Sequence, residues 1–352
     1  MPIMDVRSPG EYAHAHIPGA YSLPLFTDEE RKVVGTLYKQ EGREQAIKAG
    51  LDYYGPKMRH MVEEVEGILR KFESPNTQPL IPNSKFQIPN SNPPIPNSIL
   101  LHCWRGGMRS AGVAWLLDLY GFKVYTLRGG YKAYRNWVLA QFEKPYPFRI
   151  LGGYTGSGKT GVLKVMVKAK HAVIDLEGLA HHKGSAFGAL GEAAQPGQEH
   201  FENILAAELH KVSNELPEGS CIWLEDESRR IGNLNLPPRL WENMRRSPLY
   251  FLEIPFEERL EYIVAEYGKF KKEELINSVL RITKRLGNLN TKNAINYLLE
   301  DNLKESFRIL LAYYDKFYSK DIDNRETLKE RINIIHCEHV DAMANLKNLI
   351  YK

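Results

Sequence analysis

The sequence predicts an α/β protein: two α/β units in tandem, each built on a parallel sheet, followed by a helical C-terminal region. Three observations lead there. Short apolar runs alternate with helix-like segments up to about residue 255, and that alternation implies parallel sheets joined by crossover helices. The prolines of Lys144-Pro145-Tyr146-Pro147 punctuate the chain just before a fresh apolar run. From Phe256 the periodicity changes, and Leu260, Ile263, Val264 and Tyr267 fall at i, i+3, i+4 and i+7, the spacing of one buried helix face. The expected domains are therefore 1–144, 145–255 and 256–352, the last packed on the second. A chain of 352 residues has room for two or three such cores.

In the first unit a short strand and loop lead into a charged helical stretch, 28–71. The segment 74–98 then departs from its surroundings, repeating Ile-Pro-Asn-Ser at 81–84, 88–91 and 95–98. Proline every seventh residue rules out a coiled coil, because each one removes a helix donor and clashes with the preceding turn. It reads as an extended insertion in a surface loop, which chain entropy tolerates. A buried strand at 99–102, a loop, an apolar helix at 111–120 and a strand at 123–127 complete the unit. In the second, strands are expected at 148–151, 172–175 and 222–225, with helices between them.

Composition is that of a globular protein, 43% hydrophobic and 26% charged. No apolar stretch approaches the roughly 18 residues that a spanning helix needs. The first residues, MPIMDVRSPGEY, lack the basic flank and apolar run of a secretory signal, so a cytoplasmic location is expected. Three cysteines without CxxC spacing argue against a disulfide framework and against structural zinc. A net charge of +4 permits a nucleic-acid partner without demanding one.

The segment His102-Cys103-Trp104-Arg105-Gly106-Gly107-Met108-Arg109-Ser110 joins a strand to a helix. N–H groups of a glycine-rich loop at a helix N-terminus converge on one point, where an anion or a thiolate is favoured. Cys103 would sit under those donors with Arg105 and Arg109 nearby, so its pKa should be depressed, which makes it a candidate nucleophile. Cys221 and Cys337, in apolar strand-like contexts, read as structural.

The stretches Asp5-Val6-Arg7-Ser8-Pro9-Gly10-Glu11-Tyr12, His16-Ile17-Pro18-Gly19-Ala20, the cysteine loop, and Leu127-Arg128-Gly129-Gly130-Tyr131-Lys132-Ala133-Tyr134 resemble the successive hallmarks of a rhodanese domain. That resemblance implies a chalcogen-carrying role for Cys103, with Asp5, Arg7, Glu11 and His16 bracing the fold. Two departures stand out. Ala15 replaces the usual Gly, and Cys-x5-Arg is one residue longer than the usual rhodanese loop, able to cradle a larger tetrahedral anion. Cys-x5-Arg is also the loop length of cysteine phosphatases.

Gly153-Tyr154-Thr155-Gly156-Ser157-Gly158-Lys159-Thr160 fits G-x4-G-K-T between the strand 148–151 and a helix at 161–168. Gly153, Gly156, Ser157 and Gly158 let successive N–H groups wrap a diphosphate, Lys159 supplies a point charge, and Thr160 can ligate Mg²⁺. Asp175, Glu225 and Asp226, at expected strand ends, are the acids that could stand behind the metal or touch substrate. No N-K-x-D motif is present, which disfavours a GTPase switch. The loop 175–188, with His181, His182, Lys183 and Ser185, suits anion binding better than zinc.

Taken with the segments 28–40, 175–188 and 225–232, the pairing of a rhodanese unit with a phosphate loop resembles the bacterial tRNA 2-selenouridine synthase family across nearly the whole chain outside 74–98. The resemblance implies a two-step chemistry on a wobble 2-thiouridine of the tRNA anticodon. Geranyl diphosphate alkylates the sulfur, and selenium from selenophosphate then replaces the alkylthiol. It also implies contact with the enzyme that produces selenophosphate. For the polynucleotide, Arg281, Lys284 and Arg285 fall at i, i+3, i+4 and offer a stripe for phosphates. Two other readings compete: a Cys-x5-Arg phosphatase fused to a small-molecule kinase, and a nucleotide-gated binding module on an inert rhodanese scaffold.

Overall fold

The computed structural model describes residues 1–72, 98–323 and 331–350, so the Ile-Pro-Asn-Ser repeats lie outside the described residues apart from Ser98. The chain forms two compact units, Met1–Leu139 and Ala140–Lys352.

In the first unit β1 (Ile3–Asp5), β2 (Tyr21–Ser22), β3 (Ser98–His102) and β4 (Lys123–Thr126) make one parallel sheet in the order β2-β1-β3-β4. Met4 is opposite Leu101 and Leu100 opposite Tyr125. The chain steps from β1 to one edge and returns on the other side at β3, leaving a crevice at the carboxyl ends of β1 and β3. The stretch 28–71 is three helices, Asp28–Gln40, Arg43–Tyr54 and Met58–Phe72. Gly42, at φ 95°, and the Gly55–Lys57 turn, which contains Pro56, break it. Thr27 caps the first helix reciprocally with Glu30. Met61, Val65 and Leu69 of the third pack against Met4, Ile99, Leu101 and Leu117.

A buried ion pair braces this unit. The Arg7 guanidinium donates to both Asp5 carboxylate oxygens and, at 2.7 Å, to the Ala15 carbonyl, and it lies 3.7 Å from the Tyr131 ring centroid. Ala15 has φ −168°, extended backbone open to any residue, so no glycine is needed there.

In the second unit β5 (Phe148–Gly153), β6 (Ile222–Glu225), β9 (Leu249–Glu253) and β10 (Ile332–His336) form a parallel sheet in the order β10-β9-β5-β6, with β7 (Arg230–Ile231) and β8 (Leu234–Asn235) a small antiparallel pair beside it. Two expectations are corrected. The segment 172–175 is no strand: it touches β6 through one bridge, Val173 with Trp223, before Asp175 caps the helix Leu176–Ala180 and turns the backbone away. The region 256–352 is also not wholly helical. Its Ile-Asn-Ile-Ile segment is β-branched, as strands prefer, and supplies the edge strand β10, while the helix Ala342–Ile350 covers the helix Lys159–Lys168 through Leu346 and Leu349. The helices Phe256–Tyr267, Lys272–Arg281, Thr283–Leu286, Asn288–Leu299 and Leu303–Asp323 share a separate core around Leu260, Ile263, Val279, Leu298 and Phe307. Among the described residues no helix is long and apolar enough to cross a membrane.

Candidate active sites

Cys103 sits buried just past β3, at the crevice of the first sheet. Its sulfur accepts the Gly107 N–H at 3.3 Å and lies 3.3 Å from the Ser110 hydroxyl. Burial pushes the thiol up. The Ser110 hydroxyl and the N–H groups of Ser110, Gly107 and Arg105 outweigh it, and the pKa falls below that of an ordinary cysteine. Burial raises Cys221 and Cys337 instead. The double glycine at 129–130 presses against this loop from below. A Cβ on Gly130, at φ 58°, would lie 2.3 Å from the Cys103 carbonyl oxygen, and that carbonyl accepts the Tyr131 N–H at 2.9 Å.

The two loop arginines part company. Arg105 is exposed. Arg109 donates to Glu11 at 2.8 Å rather than facing the sulfur. Burial raises the Glu11 carboxyl, yet Arg109, the Ser8 N–H and Arg31 together bring it down to about 2. The thiolate therefore depends on hydroxyl and backbone donors more than on guanidinium charge.

In the second unit the loop after β5 wraps an open cradle, with Gly153, Gly156 and Gly158 at φ 150°, 82° and 70°. A Cβ on Gly156 would meet Ile263 at 2.8 Å, so close packing as well as φ demands glycine there. Lys159 donates to the Gly153 carbonyl at 3.0 Å. Ser157 Oγ is buried and has no hydrogen-bond partner among the described residues. Arg259 holds the loop from outside: it donates to the Thr155 carbonyl at 3.1 Å and pairs bidentately with Asp315 at 2.9 and 2.8 Å. Periodicity had placed its helix in the core without revealing that role.

The three acids singled out from the sequence separate in space. Asp175 accepts the Gly178 N–H at 2.7 Å as a helix cap. Glu225 is wholly buried, accepts the Leu176 N–H at 3.0 Å, and burial with Asp175 and Glu177 nearby raises it far above the carboxylate range. Asp226 reaches the cavity. The acid that meets Thr160 is Glu177, at 3.0 Å, two residues past the cap. Beside it Glu227, buried and close to Glu177, is also pushed well up despite Lys159. Glu177 was passed over because 172–175 reads as a strand that ends at Asp175, whereas Glu227 lies two residues past the correctly expected strand β6, where no local spacing marks it. Among the described residues no group of three or more His, Cys, Asp or Glu is arranged to hold a metal.

Thr160, Glu177, Asp226 and Glu227 line one cavity of about 570 Å³, which Asp175 and Glu225 do not reach. Its lining includes residues 155–161 and the aromatic side chains of Trp241, Tyr262, Tyr267, Tyr314, Phe317 and Tyr318, with Lys159 Nζ 5.7 Å from the Tyr318 ring centroid. Neither His181 nor His182 lines it, whereas Lys183 does, paired with Glu266 at 2.9 Å. The proposed stripe is not one helix face. Arg281 ends the helix Lys272–Arg281, Ile282 leaves helical geometry at ψ 7°, and Lys284 with Arg285 lies in the next turn.

Comparison with known proteins bears on both loops. The family described as tRNA 2-selenouridine synthase AAA domain matches residues 146–345. The tRNA 2-selenouridine synthase of Sulfurovum sp. (strain NBC37-1) is 35% identical over 356 residues, covering 92% of this chain and 89% of its own. That of Pseudomonas putida (strain W619) is 36% identical over 308 residues, covering 82% and 76%. That of Shewanella halifaxensis (strain HAW-EB4) is 34% identical over 356 residues, covering 92% and 89%. With relatives 34–36% identical over most of its length and a family model over more than half of it, the chain belongs to the tRNA 2-selenouridine synthase family of tRNA-modifying enzymes.

Proposed function

We propose that the phosphate loop serves alkylation and the cysteine loop serves selenium delivery, so that a wobble 2-thiouridine becomes 2-selenouridine through an S-geranylated intermediate. The observation that carries this reading is the cavity beside the phosphate loop, whose lining combines the polar residues of that loop with the aromatic side chains of Trp241, Tyr262, Tyr267, Tyr314, Phe317 and Tyr318. The phosphate loop suits the diphosphate of a prenyl diphosphate, and so extensive an aromatic lining suits its apolar chain. In the first step the thiouridine sulfur bonds to C1 of the geranyl chain as the C1–O bond breaks. The departing diphosphate takes its charge into the N–H groups of residues 156–160 and onto Lys159.

Magnesium fits the same wall. The Thr160 hydroxyl and Glu177 carboxylate, 3.0 Å apart, are oxygen donors of the kind a hard divalent cation takes, with Asp226 and Glu227 close by. Bound there it would add Lewis-acid charge to the leaving diphosphate.

In the second step the selenophosphate selenium attacks C2, the C2–S bond breaks to release geranylthiol, and water then takes the phosphoryl group from selenium to release phosphate. The longer Cys-x5-Arg loop suits the tetrahedral selenophosphate anion, and the Ser110 hydroxyl and backbone N–H donors favour the thiolate form of Cys103 beneath it. The phosphatase–kinase alternative loses ground to the family assignment. It also has Arg109, the arginine a phosphatase would turn toward phosphate, committed to Glu11.

The test is incubation of the protein with thiolated tRNA and geranyl diphosphate, without selenophosphate, followed by mass spectrometry of the nucleosides. The geranylated nucleoside is expected. Selenation of thiolated tRNA in the absence of any geranyl diphosphate would overturn the alkylated intermediate.

A further inference from the structure

The helix Leu303–Asp323 carries four aromatic side chains close together, Tyr313, Tyr314, Phe317 and Tyr318. Tyr313 with Phe317, and Tyr314 with Tyr318, are i, i+4 pairs, so two aromatic columns stand side by side on one helix surface. Tyr314 and Tyr318 line the phosphate-loop cavity. Tyr313 lines a second cavity of about 520 Å³, and Phe317 lines both. Phe317 is 51% exposed, with its ring centroid 4.9 Å from that of Tyr313. A large apolar ring is thus held half in water where two cavities adjoin.

The second cavity has a one-sided charge. Its ionisable lining is Arg285, Arg308, Tyr313 and Lys316, with no acid among the lining residues. Arg308 is spent on Glu257 and Glu305. Arg285 reaches the Tyr313 hydroxyl, a neutral partner that leaves its charge intact. Flat aromatic faces beside cations, with no acid among the described lining residues, are the chemistry that holds an unpaired nucleic-acid strand: phosphates go to the cations, and bases stack on the rings. A duplex presents no free base faces and would gain nothing from Phe317.

We propose that this second cavity is the groove for the single-stranded RNA segment flanking the target uridine. Arg285 and Lys316 hold its backbone, and Phe317 is the stacking step over which the target base turns into the phosphate-loop cavity. The proposal rests on the tRNA-modifying reading and adds where the strand lies.

Fluorescence anisotropy of the full-length protein with an anticodon stem-loop RNA, over a series of salt concentrations, tests it. Phe317→Ala is expected to weaken binding about tenfold or more, and Phe317→Trp to restore it. Lys316→Ala should lower the slope of log affinity against log salt by about 0.7, the loss of one single-strand phosphate contact, while its affinity for inorganic pyrophosphate stays at the wild-type value. If wild-type protein binds no RNA, the tRNA reading itself fails. If wild type binds but Phe317→Ala and Lys316→Ala leave affinity and slope unchanged, only the groove assignment fails. The groove assignment also falls if Phe317→Ala leaves RNA affinity unchanged and turns an oligomer into a monomer in sedimentation, since the surface is then a protein interface.

Discussion

The cysteine loop and the phosphate loop are built alike and finished differently. Each follows a central strand of a four-stranded parallel sheet, bends through glycines at positive φ, and opens a helix. Each unit holds a buried arginine: Arg7 pairs with Asp5 and the Ala15 carbonyl in the first, and Arg259 donates to the Thr155 carbonyl of the phosphate loop in the second. The first ends in a thiol under hydroxyl and backbone donors. The second ends in Lys159 and Thr160 at the mouth of a large cavity. The difference teaches that the strand–loop–helix device supplies only an anion cradle. The residue set under the cradle decides whether it attacks or merely holds.

Separate failure of the two loops is the largest expected effect. Cys103→Ser should abolish selenation and let geranylated tRNA accumulate, because a hydroxyl near neutral pH cannot replace a thiolate. Lys159→Ala should slow alkylation about 10²- to 10³-fold yet still selenate pre-alkylated tRNA. Mass spectrometry of both variants on thiolated and pre-alkylated tRNA checks it. Loss of alkylation in folded Cys103→Ser would merge the two loops into one composite site.

The two arginine braces sharpen the comparison at the level of stability. Arg7→Ala leaves the carboxylate of Asp5, with no side-chain exposure, only the residue-7 backbone N–H and His102 at 3.7 Å, a loss of about 3 kcal/mol. Arg259→Ala leaves Asp315 with 22% side-chain exposure, where water compensates in part, and about 1–2 kcal/mol is expected. Denaturant unfolding of each variant decides the order, and a larger loss for Arg259→Ala would reverse the argument.

A smaller effect should follow from Ser110→Ala, which removes a hydroxyl that favours the Cys103 thiolate. The pH midpoint of Cys103 alkylation by iodoacetamide should rise, and reactivity at pH 7 should fall several-fold. An unmoved midpoint would transfer the whole effect to the backbone donors.

Glu11 offers a pH signature in the first unit alone. Its folded pKa of about 2 lies below the ordinary 4.5, so its pairing stabilises the fold above about 4.5 and is lost as pH falls through 2. Partial exposure screens this to roughly 1–2 kcal/mol. The stability gap between wild type and Glu11→Gln, measured by thermal unfolding, should narrow over that window. Smallest of all is deletion of 75–97 with a short flexible linker. Without a periodic apolar face to bury, its loss should leave soluble yield and activity near wild type.

Local features of both loops were legible in the sequence. Glycine spacing, the G-K-T triplet and a cysteine ahead of a helix are read from a few consecutive residues whose φ, ψ and hydrogen bonds are set by their own neighbours. The tertiary structure alone decided which distant partners arrive. Arg109 meets Glu11 98 residues away, Arg259 meets Asp315 56 residues away, and Thr160 meets Glu177 rather than Asp175. It also decided that 332–336 returns as an edge strand and that aromatic side chains from 241 to 318 gather around one cavity. Strand order and loop closure set these meetings, and both are properties of the whole packed chain that no local spacing encodes.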